Sequence, residues 1–424
     1  MKIAVIGTGI AGNVAAWHLC KDHDITVYEA GSHVGGHTHT HDIVHHGRHH
    51  AIDTGFIVFN DWTYPNFITL LDELGVESQP TDMGFSSRCE TSGLEYNGSS
   101  LNQLFAQRRN IIRPGFHRMI RDILRFNRES RELIDKDSET LTLGHYLEAQ
   151  RYGQLFIDNY IIPMGAAIWS TDPQQMLAFP ACHFVRFFDN HGLLNVKNRP
   201  QWRVIKGGSR EYVKRLIAPF KHRIRLNQPV ASVKRLPTHI ELRTASGEIE
   251  HFDALFIATH SDQALSMLTD PSNLERAVLG AIPYSTNDVV LHTDTSLLPK
   301  HRRTWAAWNY LRKRDNDGRV SVTYNMNILQ GLQATETFCV TLNDTQSIDP
   351  DKIIRHMQYQ HPLFTASGVA AQRRHREING KHRTWYCGAY WRFGFHEDGV
   401  VSALNALQDF KDYSDAQSSL RRAG

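Results

Sequence analysis

The chain opens on Ile3-Ala4-Val5-Ile6, four apolar residues in a row with no polar alternation, the pattern of a strand buried on both faces of a parallel sheet. Gly7-Thr8-Gly9-Ile10-Ala11-Gly12 interrupts it. Val14, Ala15, Trp17, His18 and Leu19 then recur at helical spacing, which predicts a helix with one sheet-facing stripe ending at the charged Lys21-Asp22-His23-Asp24. A second apolar run, Ile25 to Tyr28, stops at Glu29. Much later, Pro229-Val230-Ala231-Ser232-Val233, a turn at Ser246-Gly247 and the run Phe252 to Thr259 predict a hairpin followed by another buried strand. Val289 to His292, Val320 to Tyr324 and Phe338 to Leu342 predict an antiparallel sheet within 281–345. Near the end, Trp385 to Tyr390 reads as a strand and Val400 to Phe410 as a helix.

The order strand, glycine turn, helix, strand, acid gives the first block a chemical meaning. Gly7 permits the tight turn, Gly9 lets a pyrophosphate approach the backbone, and Gly12 lets the helix pack on the sheet. The free amides and positive dipole end of the helix then face the phosphates. Glu29, 22 positions after Gly7, is placed to accept hydrogen bonds from the hydroxyls of an unphosphorylated ribose. The pattern predicts a Rossmann-type α/β dinucleotide-binding domain.

Composition bounds the rest. A chain of 424 residues has room for two to three structural units, and 41% hydrophobic with 21% charged residues is ordinary for a globular protein. A net charge of +3 gives no reason to expect nucleic acid as a partner. Cys20, Cys89, Cys182, Cys339 and Cys387 are scattered, as reduced thiols are. With no apolar run long enough for a membrane span, and a strand starting directly after Met1, the expected location is the cytoplasm.

Gly35-Gly36 and Asp53-Thr54-Gly55-Phe56, together with Val230 and the segment Gly394-Phe395-His396-Glu397-Asp398-Gly399, resemble the amine oxidase, protoporphyrinogen oxidase and phytoene desaturase superfamily. That resemblance implies FAD as the cofactor and a flavin-dependent oxidoreductase as the activity. It implies a discontinuous, glutathione-reductase-like FAD domain (1–62, 200–262 and 372–424) with an inserted α+β substrate domain (63–199 and 263–371) carrying the antiparallel sheet. Trp202 to Ser209 resembles the glycine-containing turn that re-enters the FAD domain. Carried over residue by residue, the resemblance implies FAD contacts from Gly7, Gly9, Ile10, Ala11, Gly12, Glu29, Ala30, Gly35, Gly36, His37, Thr38, Gly55, Phe56, Ile57, Val230, Ala258, Gly388, His396, Asp398 and Val400. The last helix would aim its N-terminus at the pyrimidine end of the flavin, where reduction gathers negative charge.

A closer resemblance covers nearly the whole chain. Gly35-Gly36-His37-Thr38-His39-Thr40, Ala166 to Ser170, Asn190-His191-Gly192, Lys206-Gly207-Gly208-Ser209 and Gly394 to Gly399 look like bacterial FAD proteins similar to the N-terminal oxidase-like domain of plant cyclopropane fatty acid synthases. This implies a fatty acyl chain of a lipid as substrate, desaturated or isomerised by hydride transfer, and a lipid methyltransferase as partner. Two alternatives stand beside it: a flavin amine oxidase, and an FAD-containing non-catalytic partner of such a methyltransferase. Phe395 stands where many amine oxidases carry a tyrosine of the amine-orienting cage.

Candidates for the catalytic face are Trp169, Ser170, Asn190, His191, Tyr390, Trp391, His396 and Glu397, with His396 or Glu397 able to take a proton from the loop before the last helix. Trp169, Trp305, Trp308 and Tyr324 are candidates to line an acyl site. His37, His39 and His41 alternate as if on one strand face, but no Cys or carboxylate stands at ligand spacing beside them, so no metal is expected. His45, His46, His49 and His50 read as a solvated hairpin tip around Gly47. Eight arginines lie between Arg108 and Arg131 against Asp122 and Glu129, on a helix whose apolar face is Phe116, Met119, Ile120 and Ile123. They are either a solvated face or a contact for the inner face of a membrane.

Overall fold

In the computed structural model, which describes residues 1–136, 140–169, 171–314 and 321–423, the opening apolar run becomes the central strand of a five-stranded parallel sheet. Lys2–Ile6 pairs with Asp24–Tyr28 on one side and Ala254–Ile257 on the other. Ile224–Arg225 and Thr384–Tyr386 form the edges. With neighbours on both sides and apolar layers on both faces, Ile3, Ala4 and Val5 are wholly buried, which is why the run shows no alternation.

The first helix, Ile10–Leu19, departs from the expected one-sided stripe: Ile10 through Ala16 and Leu19 are all buried, and Trp17 and His18 are only half-buried. The C-terminal helix, His396–Ala423, covers its second side. Two glycines make the close packing possible. A Cβ on Gly12 would sit 2.0 Å from the Gly7 carbonyl oxygen, and one on Gly399 would sit 2.5 Å from the Ile10 side chain. The C-terminal helix also starts four residues earlier than its apolar pattern suggests. Asp398, in the first turn, reaches back to accept the Phe393 and Phe395 amides at 3.2 and 3.0 Å, half of a capping box. The preceding strand is shorter than expected, and residues 389–391 form a 3-10 turn.

The predicted antiparallel strands are present as Tyr284–His292, Ser321–Asn325 and Cys339–Leu342, within a seven-stranded sheet. Ile353–Pro362 extends one edge, and Trp308–Arg312 leads through a parallel pairing to Phe85–Cys89 and Leu94–Asn97 on the other. The sheet is therefore mixed rather than purely antiparallel. The hairpin at Ser246-Gly247 belongs to a separate three-stranded sheet. A helical layer including Pro114–Glu129, Ile162–Trp169 and Ala181–Asn190 buries an aromatic core of Phe116, Phe126, Phe156, Trp169, Phe184 and Phe187. Ala166 and Ala167 seat that layer on Tyr310 and Val322 of the large sheet.

Gly399→Val should lower stability by about 1–3 kcal/mol through overpacking against Ile10, read as a loss of melting temperature. The pair Ile10→Ala with Gly399→Ala should recover much of it, since both residues would then share the space of one isoleucine.

Candidate active site

The phosphate end of a dinucleotide cradle is assembled at the carboxyl edge of the parallel sheet. Gly9 is the residue before the first helix, so the amides of Ile10, Ala11 and Gly12 have no intrahelical acceptor. A Cβ on Gly9 would meet no protein atom within 4 Å, whereas one on Gly36 would lie 3.1 Å from the Gly9 Cα. The Gly35-Gly36 turn thus presses against the phosphate loop, held by the Gly35 amide on the Thr8 carbonyl at 3.0 Å. Glu29 accepts the Thr8 amide at 3.0 Å, the Thr8 hydroxyl and the Gly31 amide at 2.8 Å. A carboxylate has about four lone-pair sites, so acceptor capacity is left for a ribose. Gln228 donates its amide to the Glu29 carbonyl at 2.9 Å and so holds the strand start at Val230 beside this end. Ala258 backs Gly7 from the neighbouring strand. Ala30 is exposed, Ile57 is buried, and the Gly388 amide is bonded to the Ser402 hydroxyl at 2.9 Å.

Toward the substrate side the cradle becomes aromatic. His396 stacks on Phe56 with ring centroids 3.5 Å apart, and its Nε2 lies 2.7 Å from the Tyr212 hydroxyl and 3.1 Å from the Thr38 hydroxyl. Burial holds its pKa well below the usual histidine range. In this part of the site His37 Nε2 and His260 Nδ1 are buried without a partner among the described residues, and their rings lie 6.0 Å apart. Orphaned polar atoms beside the glycine turn, an open Gly9 face and a free helix start are the features that a bound dinucleotide satisfies.

The expected row of three imidazoles is not formed. The strand begins only at Thr40; His39 and His41 pack 4.0 Å apart with His33 stacked on His39, while His37 turns toward Tyr359 and His361. Burial, then neighbouring imidazoles, lowers His37 to about 3 and His361 to about 4. The hairpin tip around Gly47 forms as read, between strands Thr40–His45 and Arg48–Asp53.

Asp53 ties this site together. It is fully buried, and it accepts the Ser209 amide and hydroxyl, the Thr40 hydroxyl and the Gln330 side-chain amide. Three segments distant in sequence meet on this one carboxylate.

The nominated catalytic residues separate into groups. His191 lines a cavity of about 400 Å³ with Asn190, Phe393 and Phe395, and stacks on Phe187 at 3.9 Å. Glu397 is no free base: its two oxygens accept the Asn66 amide, the Asn66 side chain and the Phe67 amide at the start of the helix Pro65–Glu73. Asp398 is likewise spent on its own helix start, and the Val400 side chain is buried in the core around the first helix. Tyr390 and Trp391 are carried by the 3-10 turn into the apolar layer on the opposite face of the parallel sheet, with Ile6, Leu255 and Tyr386. Ser170 lies outside the described residues. Trp308 and Tyr324 meet the helix Ile162–Trp169, whereas the Trp305 ring donates to the Pro299 carbonyl away from it. Tyr212, His260, Tyr359 and His361 escaped sequence reading, because single residues in a helix or strand carry no motif to mark them.

The profile of the family described as flavin containing amine oxidoreductase matches residues 10–409. A Mycobacterium tuberculosis protein carrying the name flavin-containing monoamine oxidase AofH is 26% identical over 264 residues, 59% of this chain and 55% of the relative. The matched region thus spans about half the length of that curated relative. Among solved structures, a CLA-producing fatty acid isomerase from P. acnes superposes with a TM-score of 0.69 at 16% identity, covering 96% of this chain and 98% of the other. Cyclohexylamine oxidase from Brevibacterium oxydans gives 0.69 at 14% identity, covering 97% and 99%. At these identities the shared property is the fold.

Two outcomes follow from the cradle. Purified protein should release FAD on denaturation, and Gly9→Val should abolish that content by filling the phosphate face. Burial raises Asp53 to about 6 from an ordinary 3.8, so the fold prefers its protonated form. Its contribution is full below pH 3.8 and is lost as pH rises to 6. The stability of wild type relative to Asp53→Asn should therefore fall by about 3 kcal/mol between about pH 4 and about pH 7, measured by chemical denaturation at each pH.

Proposed function

Because the chain belongs to the family of flavin containing amine oxidoreductases, whose cofactor is FAD, we propose that it is an FAD-dependent oxidoreductase acting on the acyl chain of a lipid. The observation that carries this reading is the aromatic layer packed against the Gly394-to-His396 loop, which borders the cavity beside His191. Phe187 stacks 5.0 Å from Phe395, Trp169 lies 4.8 Å from Phe187, and His183 packs 4.6 Å from Phe393. Burial brings His183 to about 3 and His191 to about 4, so both imidazoles are uncharged at neutral pH.

A cationic amine would need a carboxylate, a free acceptor or an open ring face to offset its desolvation. The two acids at this loop, Glu397 and Asp398, already serve as helix caps. An alkyl chain asks only for apolar contact and the exclusion of water, which this wall supplies. The likeness in fold to a fatty acid isomerase supports the same substrate class, and the name of the mycobacterial relative supports an amine.

When bound, FAD supplies the two-electron hydride acceptor. The protein's own part is positional. Thr38, Tyr212 and His396 lock the Phe56 side of the cradle through shared hydrogen bonds, and Phe187, Phe393 and Phe395 keep water from the reacting carbon. Neutral His191, with Nδ1 on the Phe187 carbonyl at 3.0 Å, holds its ring fixed against that wall.

Anaerobic mixing with unsaturated or methyl-branched acyl lipids should bleach the flavin absorbance, while primary and secondary amines should leave it unchanged. Rapid bleaching by an amine and none by any acyl lipid would establish amine oxidation instead. Bleaching by neither would favour an FAD-stabilised partner of a lipid methyltransferase.

A further inference from the structure

The arginine-rich segment gains a second property once folded. Between Leu101 and Arg125 the chain carries six arginines and one carboxylate, Asp122. That carboxylate is buried, where it accepts the Gly153 amide at 3.0 Å and lies 3.7 Å from Arg125. Arg125 is itself committed, stacked over Tyr152 at 4.0 Å and bonded to the Gln150 carbonyl. Arg108 and Arg109 bond only neutral acceptors, and Arg113, Arg118 and Arg121 have no carboxylate partner among the described residues. Their positive charge is uncompensated.

Large apolar side chains stand among these charges. Ile112 is 84% exposed, Leu101 76%, Ile111 50% and Leu124 49%. Ile111 and Ile112 sit on the single turn Arg108–Ile112 that leads into the helix Pro114–Glu129, and Leu124 lies on the same exposed stripe of that helix as Arg121 and Arg128. Leu101 starts a short helix beside the exposed Arg302 and Arg303. A merely solvated face would carry the arginines without these unburied isoleucine and leucine side chains.

We propose that this face docks on a lipid bilayer containing anionic headgroups, with the arginines on the phosphates and Ile111 and Ile112 entering the headgroup–acyl boundary. The charge pattern selects an anionic surface, and the apolar tips select a membrane over a nucleic acid. The inner side of the same helix gives the docking a purpose. Phe116, Met119 and Phe126 belong to one continuous core with Trp169, Phe187 and Phe393, the aromatic layer that reaches the cavity beside His191. Docking would bring that layer against the bilayer from which an acyl chain must be drawn. This purpose rests on the acyl-chain reading; the docking itself does not.

The test is flotation of the FAD-loaded protein with vesicles of phosphatidylcholine alone and of phosphatidylcholine mixed with phosphatidylglycerol. Binding is expected to the mixed vesicles only and to weaken with salt. Arg118→Glu with Arg121→Glu should weaken it about tenfold or more, at roughly fivefold per basic residue near the surface. Ile111→Ser with Ile112→Ser should weaken it as well, and FAD content should stay at the wild-type level in both variants. Absence of binding to mixed vesicles, an unchanged isoleucine variant, or displacement of the protein from vesicles by equimolar tRNA would overturn the proposal. Vesicle binding by a protein whose flavin is bleached only by amines would refute the acyl-chain reading and leave the docking intact.

Discussion

A carboxylate with no exposure to water must have its charge or its lone pairs satisfied by the protein, and Asp53 sets that demand at the centre of this molecule. Its partners come from the hairpin that follows the glycine pair, from the turn that returns the chain to the parallel sheet, and from the loop at Gln330 next to the large mixed sheet. None of these segments could shift alone without leaving a buried polar atom unpaired. The hairpin also packs Ile43 and Ile52 against Phe338 and Val340, so apolar burial and hydrogen bonding fix the same junction. The Thr38, Tyr212 and His396 contacts sit one step away, since Tyr212 is on the helix that begins directly after Ser209.

Much of the cradle was legible because its constraints are steric and local. Gly7, Gly12 and the strand before them announce themselves by spacing, and the structure shows the contacts that forbid a side chain at each. Glu29 follows the second strand as its spacing requires, with its carboxylate on the Thr8 amide and hydroxyl. Glu397 was read as a candidate base and Asp398 as a flavin contact, because helix caps look like loop residues in a sequence. Only the early start of the helix, and the amides of Asn66 and Phe67 brought from 330 positions away, reveal what Glu397 and Asp398 do. Tyr390 was misplaced for a related reason: the strand ends at Tyr386, four residues before its pattern does, and the ring joins the apolar layer on the other face of the sheet. The parallel pairing of Trp308 with Phe85 joins segments more than two hundred residues apart, a distance over which periodicity carries no information.

The histidines show how far environment overrides residue type. Histidine is ordinarily the residue that changes charge near neutrality, yet His37, His39, His41 and His361 are all pushed to about 3 or 4 by burial and by neighbouring imidazoles, with Arg355 adding to the effect on His39 and His41. What is left is a set of neutral rings, each offering one donor and one acceptor, packed between the glycine turn and the strand Ile353–Pro362. Such rings are polar enough to donate and accept hydrogen bonds without bringing a charge into the site.

The contact between Gly399 and Ile10 closes the cradle with residues from the two ends of the sequence. During synthesis the first helix leaves the ribosome hundreds of residues before the helix that must cover it. Until then its apolar second side has no native partner, and the cradle lacks the residues of the last helix. The full cradle therefore cannot form before the last helix has been made, and until then the uncovered side of the first helix is a surface open to aggregation.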